Sequence, residues 1–197
     1  MFSTEGTSRI YNKNSAITIK FGNALERLSL PVDDDSVTFA DWQPFWVGKY
    51  IIPTTNTHYK TEDDGQTIYS KDGSVLVDGA DTMAGELRIK DGTKIIRAAC
   101  FRCNGGTDLV PGQTITIGLT SIVLPSSLIK IQDRVFQYSK MIRSIISYAT
   151  TPPAILFNTA FSNISTSIQE IKVPANSVNA YKNASGWSRW ASVIKSI

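Results

Sequence analysis

The sequence predicts a mostly β protein with short helices: about three to four stacked repeat units, a helical C-terminal cap, and a non-repeat, mainly-β N-terminal segment before them. Three observations predict it. The stretch from Leu119 to Phe136 reads as one self-contained unit, Leu87 to Phe101 lays over its Ile122–Phe136 part without a gap, and the last residues carry tryptophans at roughly helical spacing.

Within the unit, Ile122 and Leu124 alternate as a half-buried strand does. Pro125-Ser126-Ser127 turns the chain. Leu128 and Ile131 return to the core, and Asp133 is placed to cap one short helical turn that delivers Phe136 inward. A unit of this kind cannot bury its apolar face alone and needs a copy or a cap on each side. In the upstream copy Leu87 falls on Ile122, Ile89 on Leu124, Ile96 on Ile131 and Phe101 on Phe136. Downstream, Ile145, the turn Thr151-Pro152-Pro153, Ile155 and Phe161 follow the same order, and Ile171-Lys172-Val173-Pro174 starts a fourth unit. Phe101, Phe136 and Phe161 lie 35 and then 25 residues apart. The shorter spacing suits a leucine-rich-repeat period of roughly 20–29 residues. Asn104 to Thr116 supplies the surplus in the longer one as a Gly-rich insertion, and within it Asn104-Gly105-Gly106-Thr107-Asp108 reads as a mobile loop.

These residues carry a resemblance to the BspA-like, or treponemal-type, leucine-rich-repeat family. Leu119 to Leu128 resembles its repeat opening, Tyr69 to Val77 the hairpin that often precedes such repeats, and Val173 to Lys182 with Gly186-Trp187-Ser188 and Ile194 its closing segment. The resemblance spans roughly residues 68–197, is specific over 119–136 and 171–197, and does not cover residues 1–67. Asp133-Arg134-Val135-Phe136 departs from the family's Asn-Ala-Phe version at a structural position. The resemblance implies a leucine-rich-repeat solenoid that binds rather than catalyses. Similar repeats occur in Bacteroidetes surface proteins and in phages that infect those bacteria.

The 197 residues suffice for one or two domains, and a chain of this size buries about 70% of its unfolded surface. Two are expected: an attachment segment over residues 1–67 and a repeat domain with its cap over residues 68–197. Net charge is +3, with Lys and Arg scattered, which argues against a nucleic-acid partner. Cys100 and Cys103 have the spacing of a zinc or redox pair, but the sole histidine, His58, leaves a four-ligand zinc site incomplete. They are expected to be reduced and packed, with no metal and no cofactor. The opening Met1 to Gly6 has no secretory pattern, and no stretch approaches the roughly 18 apolar residues of a membrane helix.

Residues 1–13 are polar and stay loose unless tied down. Ala16 to Phe21 alternates as a strand, and Gly22-Asn23 turns. Asp33-Asp34-Asp35 lacks the spaced ligands of a calcium loop and reads as a solvated turn. Trp42, Phe45, Trp46 and Tyr50 form the densest aromatic patch. It is either a small local core under a loop or a docking surface, since Trp and Tyr are enriched at interface hot spots. His58, between polar neighbours, reads as a surface residue. Lys71-Asp72-Gly73 turns a hairpin. At the end, Pro174 stops a strand and Asn176 or Ser177 caps a short helix through Lys182. Trp187, Trp190, Val193 and Ile197 then cover the open end of the stack.

No nucleophile elbow, metal cluster, phosphate loop or paired carboxylates stand out, so no catalytic residue is assigned. The expected function is structural: a bacteriophage virion component (fibre, decoration or tail-associated protein), or else a bacterial cell-surface adhesin. Its expected partners are capsid or tail proteins, or copies of itself as a trimer, and a host-surface glycan or protein. The assembly interface is placed at Trp42, Phe45, Trp46 and Tyr50. A chain starting near Gln66 is expected to keep its fold and lose assembly.

Overall fold

The apolar positions that recur between units become strands that pair in parallel with their counterparts. The computed structural model describes residues 17–26, 47–102, 104, 117–156, 159–164 and 166–197. In chain order the strands are β1 (Ile17–Lys20), β2 (Val47–Ile51), β3 (Tyr59–Glu62), β4 (Thr67–Ser70), β5 (Val75–Gly79), β6 (Gly85–Arg88) and β7 (Ile95–Ile96). They continue with β8 (Leu119–Leu124), β9 (Lys130–Ile131), β10 (Ser144–Ser147), β11 (Ala154–Ile155), β12 (Glu170–Val173) and β13 (Ile194–Ser196). One short helix, α1 (Val178–Asn183), stands among the described residues, so the protein is mostly β.

Two sheets carry the units. The first is parallel, with strands adjacent in the order β6, β8, β10, β12, β13. The second runs β5, β7, β9, β11 in parallel and is extended past β5 by antiparallel β4 and β3. The register is the one the alignment predicts: Leu87 faces Ile122, and Ile96 faces Ile131. A one-residue slip would turn each inward set to the opposite face, so burial selects this register.

Three apolar columns result. Leu87, Ile122, Ile145, Ile171 and Ile194 form one, and Leu76, Ile96, Ile131 and Ile155 the second. The third is aromatic. The rings of Phe101 and Phe136 stack with centroids 5.6 Å apart and planes 7° apart, and those of Phe136 and Phe161 at 5.2 Å and 25°. All three are buried. The turns that carry them also bond between units: Phe101 N–H donates to Val135 O, Phe136 N–H to Ala160 O, and Tyr138 N–H to Ser162 O.

The expected helical turn at Asp133 is instead a run of turns. Arg134 sits at φ 52° and Tyr138 at φ 63°, which interrupts right-handed helix. Ala99 and Asn163 take the same left-handed conformation at matching places around their phenylalanines. The recurrence without glycine shows that delivery of the ring inward dictates the turn. The Asp133 carboxylate reaches sideways to Thr159 Oγ1 and to Arg134 Nε.

The C-terminal cap forms with two corrections. Pro174 ends β12 as expected, but Ser177 does not cap α1 with its side chain: its hydroxyl donates to Thr150 O at 2.7 Å. Ile197 is 58% exposed and lies outside the lid. Residues 194–196 form β13 rather than helix, so the two-residue period of a strand applies and turns Ile194 inward. Trp187 and Trp190 extend the aromatic column, 6.1 and 5.4 Å from Phe161. The Trp187 indole N–H donates to Pro153 O. Ser147, a polar residue in an otherwise apolar row, donates to the Tyr181 hydroxyl at 2.7 Å, which itself donates to Ala149 O. The lid therefore satisfies the Ser147 hydroxyl that the ladder buries beneath it.

The N-terminal part is not separate where it is described. β1 forms where alternation predicts a strand, and it pairs in parallel with β2. Val47, Tyr50 and Ile52 belong to the same hydrophobic core as the repeat columns, and β3 lies in the second sheet. A boundary between residues 67 and 68 would cut β4, and a chain starting near Gln66 would lack β2 and β3. The physical reason is edge pairing: β5 is the end strand of the parallel run, and β4 and β3 cover it. Asn104, assigned to a mobile loop, is buried; its amide donates to Met83 O and its carbonyl accepts from Leu119 N–H at 2.7 Å. Residues 105–116 lie outside the described residues.

Candidate binding groove

Of the four residues placed at an assembly interface, Trp42, Phe45 and Trp46 lie outside the described residues. Tyr50 is 2% exposed and faces inward, its ring 6.4 Å from that of Phe21. Val47 and Tyr50 are three residues apart, which strict alternation would put on opposite faces. The register with β1 shifts between Val47 and Lys49, and this irregularity lets both turn to the core while Ile51 turns out. His58 is exposed, as expected of a surface histidine. Cys100 is a buried free cysteine whose Sγ lies 3.2 Å from Val77 O, and burial pushes its thiol well above the usual range. Cys103 lies outside the described residues.

The docking of β2 rests on two aspartates. Val47 N–H donates to Asp81 Oδ2 at 2.7 Å and Asp81 N–H returns to Val47 O at 2.9 Å. The Tyr50 hydroxyl donates to Asp78 Oδ2 at 2.9 Å, and Gly79 N–H donates to Asp78 Oδ1. Burial, with a smaller contribution from the Asp81 charge, pushes the Asp78 carboxyl up to about 7 against these hydrogen bonds. The unfolded chain releases this proton near pH 4. Between that pH and 7 the folded state keeps a proton that the unfolded state has lost, so stability falls as pH rises through the window. Asp78 keeps some contact with solvent. The expected loss between pH 5 and pH 8 is therefore about 1–2 kcal/mol, below the roughly 4 kcal/mol equivalent to the full displacement. Asp72 in the hairpin, held at about 2 by Ser70 and Ser74, titrates too low to contribute there. Urea midpoints at pH 5 to 8 should slope downward in the native chain and run flat in Asp78→Asn. Parallel slopes would remove Asp78 as the cause.

A groove of about 810 Å3 opens where the β3–β4 hairpin meets the ends of the first sheet. Glu62 and Tyr69 come from the hairpin, Arg88 from β6, Lys90 and Asp91 from the turn after it, and Tyr148 from the residue following β10. Lys90 Nζ lies 2.5 Å from Glu62 Oε1 and Lys60 Nζ lies 3.5 Å from it. The hydrogen bond from Lys90, with smaller help from Lys60, holds the Glu62 carboxyl below its ordinary range and so ionised. Arg88 is paired with Glu86 at 2.9 Å. The Tyr69 hydroxyl accepts from Lys90 N–H, and burial pushes it up to about 12. Tyr148 is 45% exposed and shows part of its ring to solvent.

The rim beside Glu62 is strained. Asp63, Asp64 and Gly65 sit at φ 53°, 55° and 84° in succession. Non-glycine residues in this region cost of order 1–3 kcal/mol each and persist where the surroundings impose them. A Cβ on Gly65 would stand 2.5 Å from Tyr50 O, so the turn is clamped against β2. Asp63 is held by Thr67 Oγ1 at 2.7 Å. Among the described residues, no three of His, Cys, Asp and Glu converge as metal ligands, and no helix is long and apolar enough to cross a membrane.

In the sequence Glu62-Asp63-Asp64-Gly65 carries only a turn signal, and Tyr148 lies outside every motif. The usable signal was an aromatic residue directly after Ile145-Ile146-Ser147, where the chain leaves its strand.

No protein-family model matches the chain, and no curated protein matches it. Among solved structures it is similar to a leucine-rich repeat protein from Eubacterium ventriosum, with a TM-score of 0.39 and 18% identity over 66% of this chain. The chain spans 39% of that protein's length.

Proposed function

We propose that this chain is a non-enzymatic interaction protein, a leucine-rich-repeat solenoid that presents the groove beside its hairpin to a partner. The observation that carries the reading is the groove itself. It is concave, and of its two bases Lys90 is ion-paired with Glu62 inside it and Arg88 with Glu86. Groups tied in this way hold a shape for recognition, whereas catalysis calls for an acid, base or nucleophile poised at a reacting atom. In the finer form of the proposal the chain is a bacteriophage virion component mounted through the aromatic stretch before β2. In sequence Trp42, Phe45 and Trp46 immediately precede a strand that is locked into the body by Asp78 and Asp81, which suits force transmission from a mount to the repeats. The resemblance of the repeats to modules found in phages favours the particle over the alternative, a bacterial surface adhesin.

The test is incorporation. Trp42→Ala/Trp46→Ala in the full chain should weaken assembly by at least about 2 kcal/mol if the pair are hot spots, with an unchanged circular dichroism spectrum. Mass spectrometry of purified particles should find the native chain and little of the variant. Undiminished incorporation would sink the mounting role, and recovery of the native chain only from a cell-surface fraction would replace the particle with the adhesin.

A further inference from the structure

We propose that the groove between the β3–β4 hairpin and the ends of β6, β8 and β10 binds a neutral carbohydrate, with Tyr148 as the stacking platform and the Glu62–Lys90 pair as the polar anchor. The proposal rests on the interaction reading above and specifies the ligand class. Three properties of the groove lead to it.

The first is its charge. The lining holds Glu62, Asp63 and Asp91 together with Arg88 and Lys90, and Glu62 with Lys90 and Arg88 with Glu86 are joined as ion pairs. A site so nearly balanced offers little net attraction to a polyanion or a phosphate. It offers donors and acceptors side by side. A sugar hydroxyl is both donor and acceptor, and two neighbouring hydroxyls are matched by a carboxylate next to an ammonium or guanidinium group.

The second is preorganisation. Glu62 is gripped by Lys90 at 2.5 Å and Lys60 at 3.5 Å, and its strand is anchored through the left-handed turn at Asp63 to Gly65. Groups ordered before binding lose less freedom when a ligand arrives. This matters for a carbohydrate, which gains little from apolar burial.

The third is the combination of size and surface. The volume of about 810 Å3 is within the range of small-molecule sites, roughly 300–1,000 Å3. The floor is apolar at Val123 and Pro125, and Tyr148 shows part of its ring at the mouth. The C–H face of a pyranose can pack on such a ring while its hydroxyls meet the charged wall. Glu62, gripped by Lys90 and held below its ordinary range, suits an acceptor of sugar hydroxyls rather than the proton donor of glycoside hydrolysis.

The experiment uses the full chain on an array of neutral oligosaccharides built from glucose, galactose, mannose and N-acetylglucosamine. Acidic glycans and a lysine-rich peptide serve as comparison arms, and calorimetry follows on the best neutral hit. At least one neutral glycan should bind. Tyr148→Ala should weaken it by about tenfold or more, as loss of about 1.4 kcal/mol does. Glu62→Gln should weaken it in the same direction, and the melting temperature of Tyr148→Ala should stay near that of the native chain because the side chain is exposed. No binding to any neutral glycan, or equal binding by Tyr148→Ala, would overturn the inference. If an acidic glycan or the peptide binds instead and Tyr148→Ala removes that binding, the carbohydrate class is wrong and the interaction reading stands. If nothing binds and Trp42→Ala/Trp46→Ala also assembles normally, both readings fail together.

Discussion

Phe136→Ala should lower the stability of the folded chain by about 3–5 kcal/mol, the range for truncating a buried aromatic side chain. Phe136 is fully buried and stacks on Phe101 on one side and Phe161 on the other. Removing it forfeits both ring contacts and leaves a void in the middle of the column. The neighbours cannot close it cheaply, because the backbone bonds from Phe101 N–H to Val135 O and from Phe136 N–H to Ala160 O set the unit spacing. Urea denaturation at constant pH measures the loss. Phe136→Leu should recover part of it by refilling volume without the stacking. A Phe136→Ala midpoint close to the native value would mean that the column does not join the units.

Gly79→Ala should destabilise by about 3 kcal/mol, the upper part of the range for overpacking, although it adds a single methyl group. A Cβ on Gly79 would lie 1.9 Å from Phe101 Cε1 and 2.6 Å from Cδ1. Phe101 is the end ring of the aromatic column and is 2% exposed. It cannot back away, since Phe136 stands 5.6 Å behind it. Gly79 is also paired with Thr67 and so cannot retreat without breaking β4 from β5. The clash predicts strong coupling. Gly79→Ala combined with Phe101→Leu should cost clearly less than the two single changes added together. Simple additivity, or a mild Gly79→Ala phenotype, would show that the ring finds another place.

Much of the repeat was legible because its information is local and repeated. The pairing of Leu87 with Ile122 and of Ile96 with Ile131, the aromatic column, the hairpin at Asp72-Gly73, the strand β1 and the stop at Pro174 all follow from short periodicities and turn residues. A repeated inward set leaves one register that buries every copy, so aligning the units also aligns the strands.

Other features depend on contacts with no local signature. Tyr50 belongs to an aromatic-rich stretch, yet its position on β2 and the Asp78 carboxylate turn it inward. Asn104 begins a glycine-rich run, yet the carbonyl of Met83 and the N–H of Leu119 bury it. Ser177 has the chemistry of a helix cap, yet its hydroxyl donates to the carbonyl of Thr150 instead. The groove draws Glu62, Lys90 and Tyr148 from three separate parts of the chain. By itself the sequence determined which residues face inward within each unit and how the units register, because periodicity and burial act over a few residues. Only the tertiary structure decided where the N-terminal strands dock, how the buried polar groups are satisfied and where a groove opens. Those outcomes depend on which distant surfaces meet.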